Sequence, residues 1–390
     1  MAKRVGVEVS IAIADAVKLT NTDVVAAYPI TPQTHIVEHL AELVAEGELD
    51  AAFIPVESEH SAMSACLGSS AVGARTFTAT AGQGLELMHE VLYVASSMRL
   101  PIVMVVANRA LSAPLSVWGD HSDVMAVRDT GWIQIFAENG QDAIDNTICS
   151  FRIAEDKRVL LPVMLHIDGF HLSHMIEPLI MPEQGEVDRF LPPYIYPFPL
   201  DPDKPVTMGD FAPPVLYTEA KWSQEVNLEA SKSVVLEVWK EFGKQFNRHY
   251  KPVETYQAEG AKVLLLTMGS FSETASVAID KLRDEGKSIG QVKLRLWRPF
   301  PFAEFRHAVK DADILIVLDR ALSFGGPGPV CSEVKAALYN EPKRPKIASF
   351  VGGLGGRDIT VPGFEEIIRR GLEVAEKGSS REFEFFGVRE

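Results

Sequence analysis

Cysteine is scarce. Cys66, Cys149 and Cys331 stand alone, and no C-x-x-C pair occurs. The chain therefore lacks a signature for an iron–sulfur cluster or a structural zinc site. An odd, sparse set of thiols also argues against a secreted disulfide scaffold. No apolar run approaches the ~20 residues needed to span a bilayer. The opening Met-Ala-Lys-Arg-Val-Gly-Val-Glu has no apolar signal core. Positive charge is in deficit: 38 basic against 53 acidic residues leave a net charge of −15. That balance disfavours nucleic acid and an anionic membrane as partners, and the expected location is a reducing cytoplasm. A G-x-G-x-x-G fingerprint is missing as well, which counts against a nicotinamide dehydrogenase. The runs Gly325-Gly326-Pro327-Gly328 and Gly352-Gly353-Leu354-Gly355-Gly356 read instead as turns that a partner or neighbouring domain approaches closely.

What is present is ample apolar material. In 390 residues, 46% are hydrophobic and 23% charged, enough for a large core and incompatible with general disorder. The length suggests two or three domains. Short β-rich runs alternate with helical patterns in the first part. Val24–Tyr28, Ala52–Val56, Thr76–Ala79 and Ile102–Val106 read as strands. Thr34–Ala45, Glu59–Val72 and about Leu85–Ser97 read as helices. Strict alternation predicts an α/β domain with a parallel sheet covered on both faces.

Ten of the 24 prolines fall between Pro178 and Pro214. Such a stretch is expected to hold neither a regular helix nor a central strand and to cross the surface as a stiff connection. Tyr194, Tyr196 and Phe198 within it suggest docking. An amphipathic helix over about Ala230–Asn247 follows, and the α/β pattern restarts at Lys262. There Val263–Met268, Val292–Trp297, Ile314–Leu318 and Ile347–Val351 read as strands. The expected units are 1–177, 178–258 and 259–390.

Ligands of an open parallel sheet bind beyond the carboxyl ends of its strands. After the first strand comes Pro29-Ile30-Thr31-Pro32-Gln33-Thr34. Thr31 and Thr34 sit at a helix mouth that suits an anion, or simply cap that helix. After the second comes Glu57-Ser58-Glu59-His60: a cleft carboxylate, or a first-turn acid that suits the dipole. Thr80-Ala81-Gly82-Gln83-Gly84 offers close backbone approach. Arg109 ends the fourth strand, either as a grip for a carboxylate or as a surface ion pair. Asp120, His121 and Asp123 suggest a metal, but match no closed zinc pattern, and no metal ligand is assigned. Together Thr31, Glu59 and Arg109 predict a pocket for an anionic small molecule on one rim.

Several of these stretches carry a family resemblance. Tyr28-Pro29-Ile30-Thr31-Pro32, Val56-Glu57-Ser58-Glu59-His60-Ser61-Ala62, Asn108-Arg109-Ala110-Leu111 and Trp118-Gly119-Asp120-His121-Ser122-Asp123 resemble the alpha subunits of 2-oxoacid:ferredoxin oxidoreductases, most closely on the pyruvate-oxidising branch. Arg128-Asp129-Thr130-Gly131-Trp132 and Trp297-Arg298-Pro299-Phe300-Pro301 extend the match along the chain. The resemblance implies a pyrimidine-binding domain of a thiamine diphosphate enzyme followed by a transketolase carboxyl-terminal-like domain. It implies that Glu59 bonds N1′ of the cofactor's aminopyrimidine, with Pro29 and Ile30 lining that site, while Thr31 and Arg109 hold the substrate carboxylate. The diphosphate–Mg2+ half-site and a cluster would lie on a beta subunit. Coenzyme A elements and [4Fe-4S] clusters would lie on gamma- and delta-type subunits, in a dimer of hetero-oligomers that reduces ferredoxin. The Asp168-Gly169 pair fits this division, since it lacks the rest of a diphosphate motif. The implied reaction is coenzyme A-dependent oxidative decarboxylation of pyruvate. The alternatives are a branched-chain 2-oxoacid, 2-oxoglutarate or oxalate as substrate, or a non-catalytic scaffold subunit. The pattern departs at Ala81-Gly82, where relatives often carry serine.

Overall fold

A computed structural model describes residues 3–209, 211–378 and 381–389. The larger sheet has seven strands, in the order Leu296–Arg298, Ile133–Phe136, Val163–Asp168, Ile102–Asn108, Thr76–Thr80, Val24–Ala27 and Ala52–Pro55. All pair in parallel apart from the edge strand Leu296–Arg298. The inner strands are buried along their whole length, as expected of strands covered on both faces. Alternate residues serve opposite cores. Val103, Val105 and Ala107 meet the helices Val9–Leu19, Thr34–Ala45 and Gly140–Ala154. Ile102, Met104 and Val106 meet Glu59–Ala71 and His89–Ser97. A second sheet runs Glu384–Phe385, Lys346–Val351, Ile314–Asp319, Val263–Thr267, Ile289–Leu294 and Val253–Tyr256, with the last strand antiparallel. A two-stranded ribbon pairs Lys3–Glu8 with Ile176–Met181.

Four expectations need correction. The run Val292–Trp297 is not one strand. It breaks at Arg295, and Leu296–Arg298 crosses over to become the edge of the larger sheet. The helix expected over Leu85–Ser97 divides at Met88 into Gly82–Leu87 and His89–Ser97. The helix expected from Ala230 begins at Pro214 and reaches Phe246, because Pro214 sits at the first helical position, where proline is tolerated. The proline-rich stretch does contain regular elements. Pro178 lies in the ribbon strand Ile176–Met181, which is no central strand, and Gln184–Phe190 forms a helix between Pro182 and Pro192. Beyond that helix the stretch runs over the surface: Leu200 donates its N–H to Ala71 (2.8 Å), and Tyr196 is buried while Phe198 is exposed.

The carboxyl ends of the two sheets meet around Asp168. Its carboxylate accepts from His121 Nε2 (2.8 Å), Ser270 N (2.7 Å) and Ser270 Oγ (2.6 Å). Arg320 Nη1 pairs with it at 2.6 Å. Arg320 follows the strand Ile314–Asp319, and Ser270 immediately precedes the helix Phe271–Asp284. Gly269 lies so close that a Cβ there would stand 2.6 Å from Asp168 Oδ2. Burial alone would raise the Asp168 carboxyl; Arg320, His121 and Ser270 outweigh it and hold the group well below the usual range. A second tie lies at the sheet edge, where Arg295 pairs with Asp142 at 2.9 Å. The expected close approach at the last glycine run is present: Gly355 donates to Asp120 Oδ2 (3.0 Å) and Gly356 to Gly119 O (2.7 Å).

Asp168→Ala leaves Arg320 buried without its anion. It is expected to lower unfolding free energy in urea by about 3–5 kcal/mol, as removal of one member of a buried pair does. Because the folded carboxyl is held low, its contribution is complete above about pH 4, the unfolded value, and shrinks as pH falls further. A loss under about 1 kcal/mol, or one independent of acid pH, would remove Asp168 from this role.

Candidate active site

The rim of the larger sheet is built strand by strand. Val24–Ala27 leads into Tyr28–Gln33, whose last residue is buried. Gln33 Nε2 donates to Tyr28 O and Ala79 O, both at 2.9 Å, so this turn is fastened to the neighbouring strand end. Neither Thr31 nor Thr34 caps the following helix. The cap position is Gln33, with no side-chain cap bond. Thr31 and Pro29 are exposed, and Ile30 packs partly buried against the core.

Glu59 opens the helix Glu59–Ala71, which is capped by Ser58 accepting from Ser61 N (3.3 Å). Glu59 is only 6% exposed. Among the described residues no protein donor is hydrogen-bonded to its carboxylate. Gly84 lies directly against it: a Cβ at Gly84 would stand 2.6 Å from both Glu59 Oε1 and Thr80 Oγ1. The sequence reading identified the glycine turn but not this contact.

Arg109 is 7% exposed and ends the strand Ile102–Asn108. Its Nη1 donates to Thr31 O (3.0 Å) and its Nε to Ser116 O (2.9 Å). Arg109 and Thr31 are thus brought together, but through the threonine carbonyl, not the hydroxyl. Burial pulls the guanidinium below its ordinary value, while the Asp123 and Glu59 carboxylates act the other way. Nη2 has no protein acceptor among the described residues, so it is the edge left for a ligand.

Asp123 is the component that sequence reasoning misjudged. It was weighed only as a metal ligand, yet it is wholly buried beneath the rim. Oδ2 accepts from Gly82 N (3.0 Å) and Arg109 N (2.9 Å); Oδ1 accepts from Asn108 Nδ2 (3.1 Å) and Val124 N (2.7 Å). Burial pushes its carboxyl up to about 7, against the pull of these N–H groups. One carboxylate so stitches the glycine turn to Arg109. The only available signal was its place just after Trp118-Gly119-Asp120-His121. Asp120 and His121 turn elsewhere, to Ser122 and to Asp168.

The arrangement can grip an anion at Arg109 and hold a proton at a desolvated carboxylate nearby. A hydrogen-bond donor is what the Glu59 carboxylate, without a protein donor among the described residues, can take beside Gly84.

Comparison with known proteins places the chain in a family. Residues 15–240 match the family model "Pyruvate flavodoxin/ferredoxin oxidoreductase, thiamine diP-bdg", and 261–364 match "Pyruvate:ferredoxin oxidoreductase core domain II". Pyruvate synthase subunit PorA of Methanothermobacter thermautotrophicus is 48% identical over 92% of this chain and 93% of its own length. That of Thermotoga maritima is 47% identical over 100% and 99%. Ketoisovalerate oxidoreductase subunit VorA of Pyrococcus horikoshii is 45% identical over 94% and 93%. The fold is similar to that of 2-oxoglutarate:ferredoxin oxidoreductase from Magnetococcus marinus, with a TM-score of 0.74 at 20% identity, covering 95% of this chain and 66% of that one. The chain belongs to the pyruvate flavodoxin/ferredoxin oxidoreductase family and is a subunit of a thiamine-diphosphate-dependent 2-oxoacid:ferredoxin oxidoreductase.

Proposed function

We propose that this chain holds the aminopyrimidine side of thiamine diphosphate in a complex that oxidises pyruvate. The overall reaction is pyruvate + CoA-SH → acetyl-CoA + CO2 + H+ + 2 electrons, with the electrons passing to ferredoxin. The observation that carries the reading is Glu59: a buried carboxylate with no protein donor among the described residues, set against Gly84 on the same rim as Arg109. Bound thiamine diphosphate supplies the nucleophilic carbon that attacks a 2-keto group and accepts the electrons freed by decarboxylation. In this role Glu59 holds the proton at N1′ of the aminopyrimidine. Pro29 and Ile30 wall the ring, and Gly84 leaves room for it. Arg109, anchored on Thr31 O and Ser116 O, offers Nη2 to the substrate carboxylate beside Thr31.

The reading takes 1–177 as the pyrimidine-binding unit, 178–258 as the connection and 259–390 as the carboxyl-terminal unit. A beta subunit is proposed to bring the diphosphate–Mg2+ half-site and a cluster. Gamma- and delta-type subunits bring coenzyme A elements and [4Fe-4S] clusters, in a dimer of hetero-oligomers. Three unpaired, buried thiols and the absent C-x-x-C motif support that division. They also favour a cytoplasmic setting; among the described residues no helix is long and apolar enough to cross a membrane. The PorA relatives favour pyruvate as substrate, and the VorA relative makes ketoisovalerate the second reading. Purification of the native complex and assay of a 2-oxoacid panel with an artificial electron acceptor tests this directly. The highest kcat/KM is expected for pyruvate; a higher value for ketoisovalerate would reassign the substrate.

Glu59→Gln keeps the shape but cannot hold and return the proton. Turnover is expected to fall about 10²–10⁴-fold, the usual loss for a missing acid–base group, with assembly intact by gel filtration. Activity within a few-fold of wild type would reduce Glu59 to a helix-terminal charge.

Loss of the Arg109 contact removes a charge-assisted hydrogen bond worth ~1.5–3 kcal/mol, or about 10–200-fold in kcat/KM. Arg109→Lys should restore only part, because an ammonium cannot span Thr31 O, Ser116 O and the substrate together. Arg109→Leu should be worse. If Arg109→Leu instead weakens cofactor affinity and leaves substrate saturation unchanged, the residue belongs to the cofactor site.

A further inference from the structure

Outside the rim, three segments converge on a cluster that the reaction does not use. Glu8 ends the strand Lys3–Glu8, His35 lies in the first turn of the helix Thr34–Ala45, and His174 lies in the loop after Asp168. One donor atom from each lies within 4.8 Å of the other two. We propose that Glu8, His35 and His174 form a divalent-metal site of the two-histidine, one-carboxylate type, fitted to zinc.

The donor chemistry supports zinc. Two imidazoles and a carboxylate are a known three-ligand set for Zn2+ and leave a fourth position to water. Imidazole disfavours Mg2+, which prefers oxygen. His35 Nδ1 and Glu8 Oε1 are 2.6 Å apart, sharing one proton. A metal would insert between them, and that proton would move to His35 Nε2 or to solvent. Glu8 occupies the cap position of the helix Val9–Leu19, yet makes no side-chain cap bond, so capping does not claim its carboxylate.

His174 is oriented by its surroundings. Ser173 Oγ holds its Nδ1 at 2.7 Å, and the same oxygen accepts from Phe170 N (2.9 Å). This leaves Nε2 of His174 for a ligand, the outer-sphere arrangement that commonly fixes a metal-bound imidazole. The Phe170 and His35 rings each pack against the His174 ring in a tilted arrangement, with centroids 4.6 Å away in both cases. The three side chains are half-buried, so a hydrated ion can reach them. Zn–N bonds of about 2.0–2.1 Å require His35 Nδ1 and Glu8 Oε1 to part modestly from 2.6 Å as the ion enters between them.

The placement gives the site a consequence. His35 begins the helix that follows the Thr31–Gln33 turn, and His174 belongs to the loop whose Gly169 packs against Pro32; a Cβ at Gly169 would stand 2.6 Å from Pro32 Cγ. Bound zinc would cross-link the ribbon strand, this helix and this loop behind the rim.

The test uses the full chain, purified and stripped with a chelator, then titrated with Zn2+ against a chromophoric chelator at neutral pH. One tightly bound zinc per chain and a raised melting temperature are expected, with Mg2+ giving neither. His35→Gln, His174→Gln and Glu8→Gln should each weaken zinc binding by more than about 100-fold. Ser173→Ala should weaken it about 10–100-fold, the usual effect of an outer-sphere change. His39→Gln is the control: His39 pairs with Asp15 one turn further along the same helix and should leave the affinity unchanged. Circular dichroism of the metal-free variants checks folding, and Glu8→Gln, which changes no volume, decides if a histidine variant misfolds. Absence of stoichiometric zinc in the wild-type chain, or equal affinity in His174→Gln and Glu8→Gln, would overturn the site.

Discussion

Asp168 ends an inner strand of the larger sheet with both carboxylate oxygens out of contact with water. Oδ1 is committed to His121 and Arg320, and Oδ2 to the backbone and hydroxyl of Ser270. Two of these partners come from strand ends of the other sheet. A buried, unpaired charge costs several kcal/mol, so any rotation of one sheet against the other that broke these bonds would be strongly opposed. Gly269 is required by the same closeness: its φ of +74° and the nearby Asp168 Oδ2 leave no room for a side chain. The Arg320 guanidinium also covers the Phe271 ring at 3.8 Å, which joins the polar junction to the apolar core of the second sheet.

The candidate rim follows from that constraint. His121 is fixed by Asp168 through its ring and by Arg320 O through its backbone N–H (2.8 Å). Two residues later Asp123 receives the N–H groups of Gly82 and Arg109. The chain of contacts therefore runs from the sheet junction to the site in a few covalent steps. The Asp123 carboxylate takes up backbone N–H groups below the rim, while the Glu59 carboxylate and Arg109 Nη2 have no protein partner among the described residues. Gln33 Oε1, Thr80 Oγ1 and Asn108 Oδ1 at the same rim are buried without a hydrogen-bond partner among the described residues.

Much of the rim was legible in the sequence because it depends on local rules. Apolar runs marked the strands Val24–Ala27, Thr76–Thr80 and Ile102–Asn108, and strand ends marked Thr31, Glu59 and Arg109. What escaped depends on contacts distant in sequence. Leu296–Arg298 looks like the end of the preceding strand, and nothing local signals its transfer to the larger sheet. Asp168 drew attention only for the diphosphate motif it does not form, and its role rests on Ser270 and Arg320, more than 100 residues away. The first half of the helix Pro214–Phe246 was missed because its Val215, Leu216, Tyr217 and Trp222 remain exposed and give no core periodicity. The strands Ile133–Phe136 and Val163–Asp168, buried along their length like those that were read, were not assigned from the sequence.

The mouth of the site explains why one chain is proposed to supply only half of it. Tyr28 is 37% exposed, Trp118 52% and Leu115 74%, all on turns that rise around Arg109 and Thr31. Large apolar side chains grouped at a polar mouth are a surface that a partner covers. The edge strand Ala52–Pro55, which leads into Glu59, is likewise incompletely covered. The proposed proton transfer at Glu59 and charge attraction at Arg109 would both gain strength when water is excluded. The proposed beta subunit would therefore do two things at once: bring the missing diphosphate half-site, and lower the effective dielectric in which Glu59 and Arg109 act.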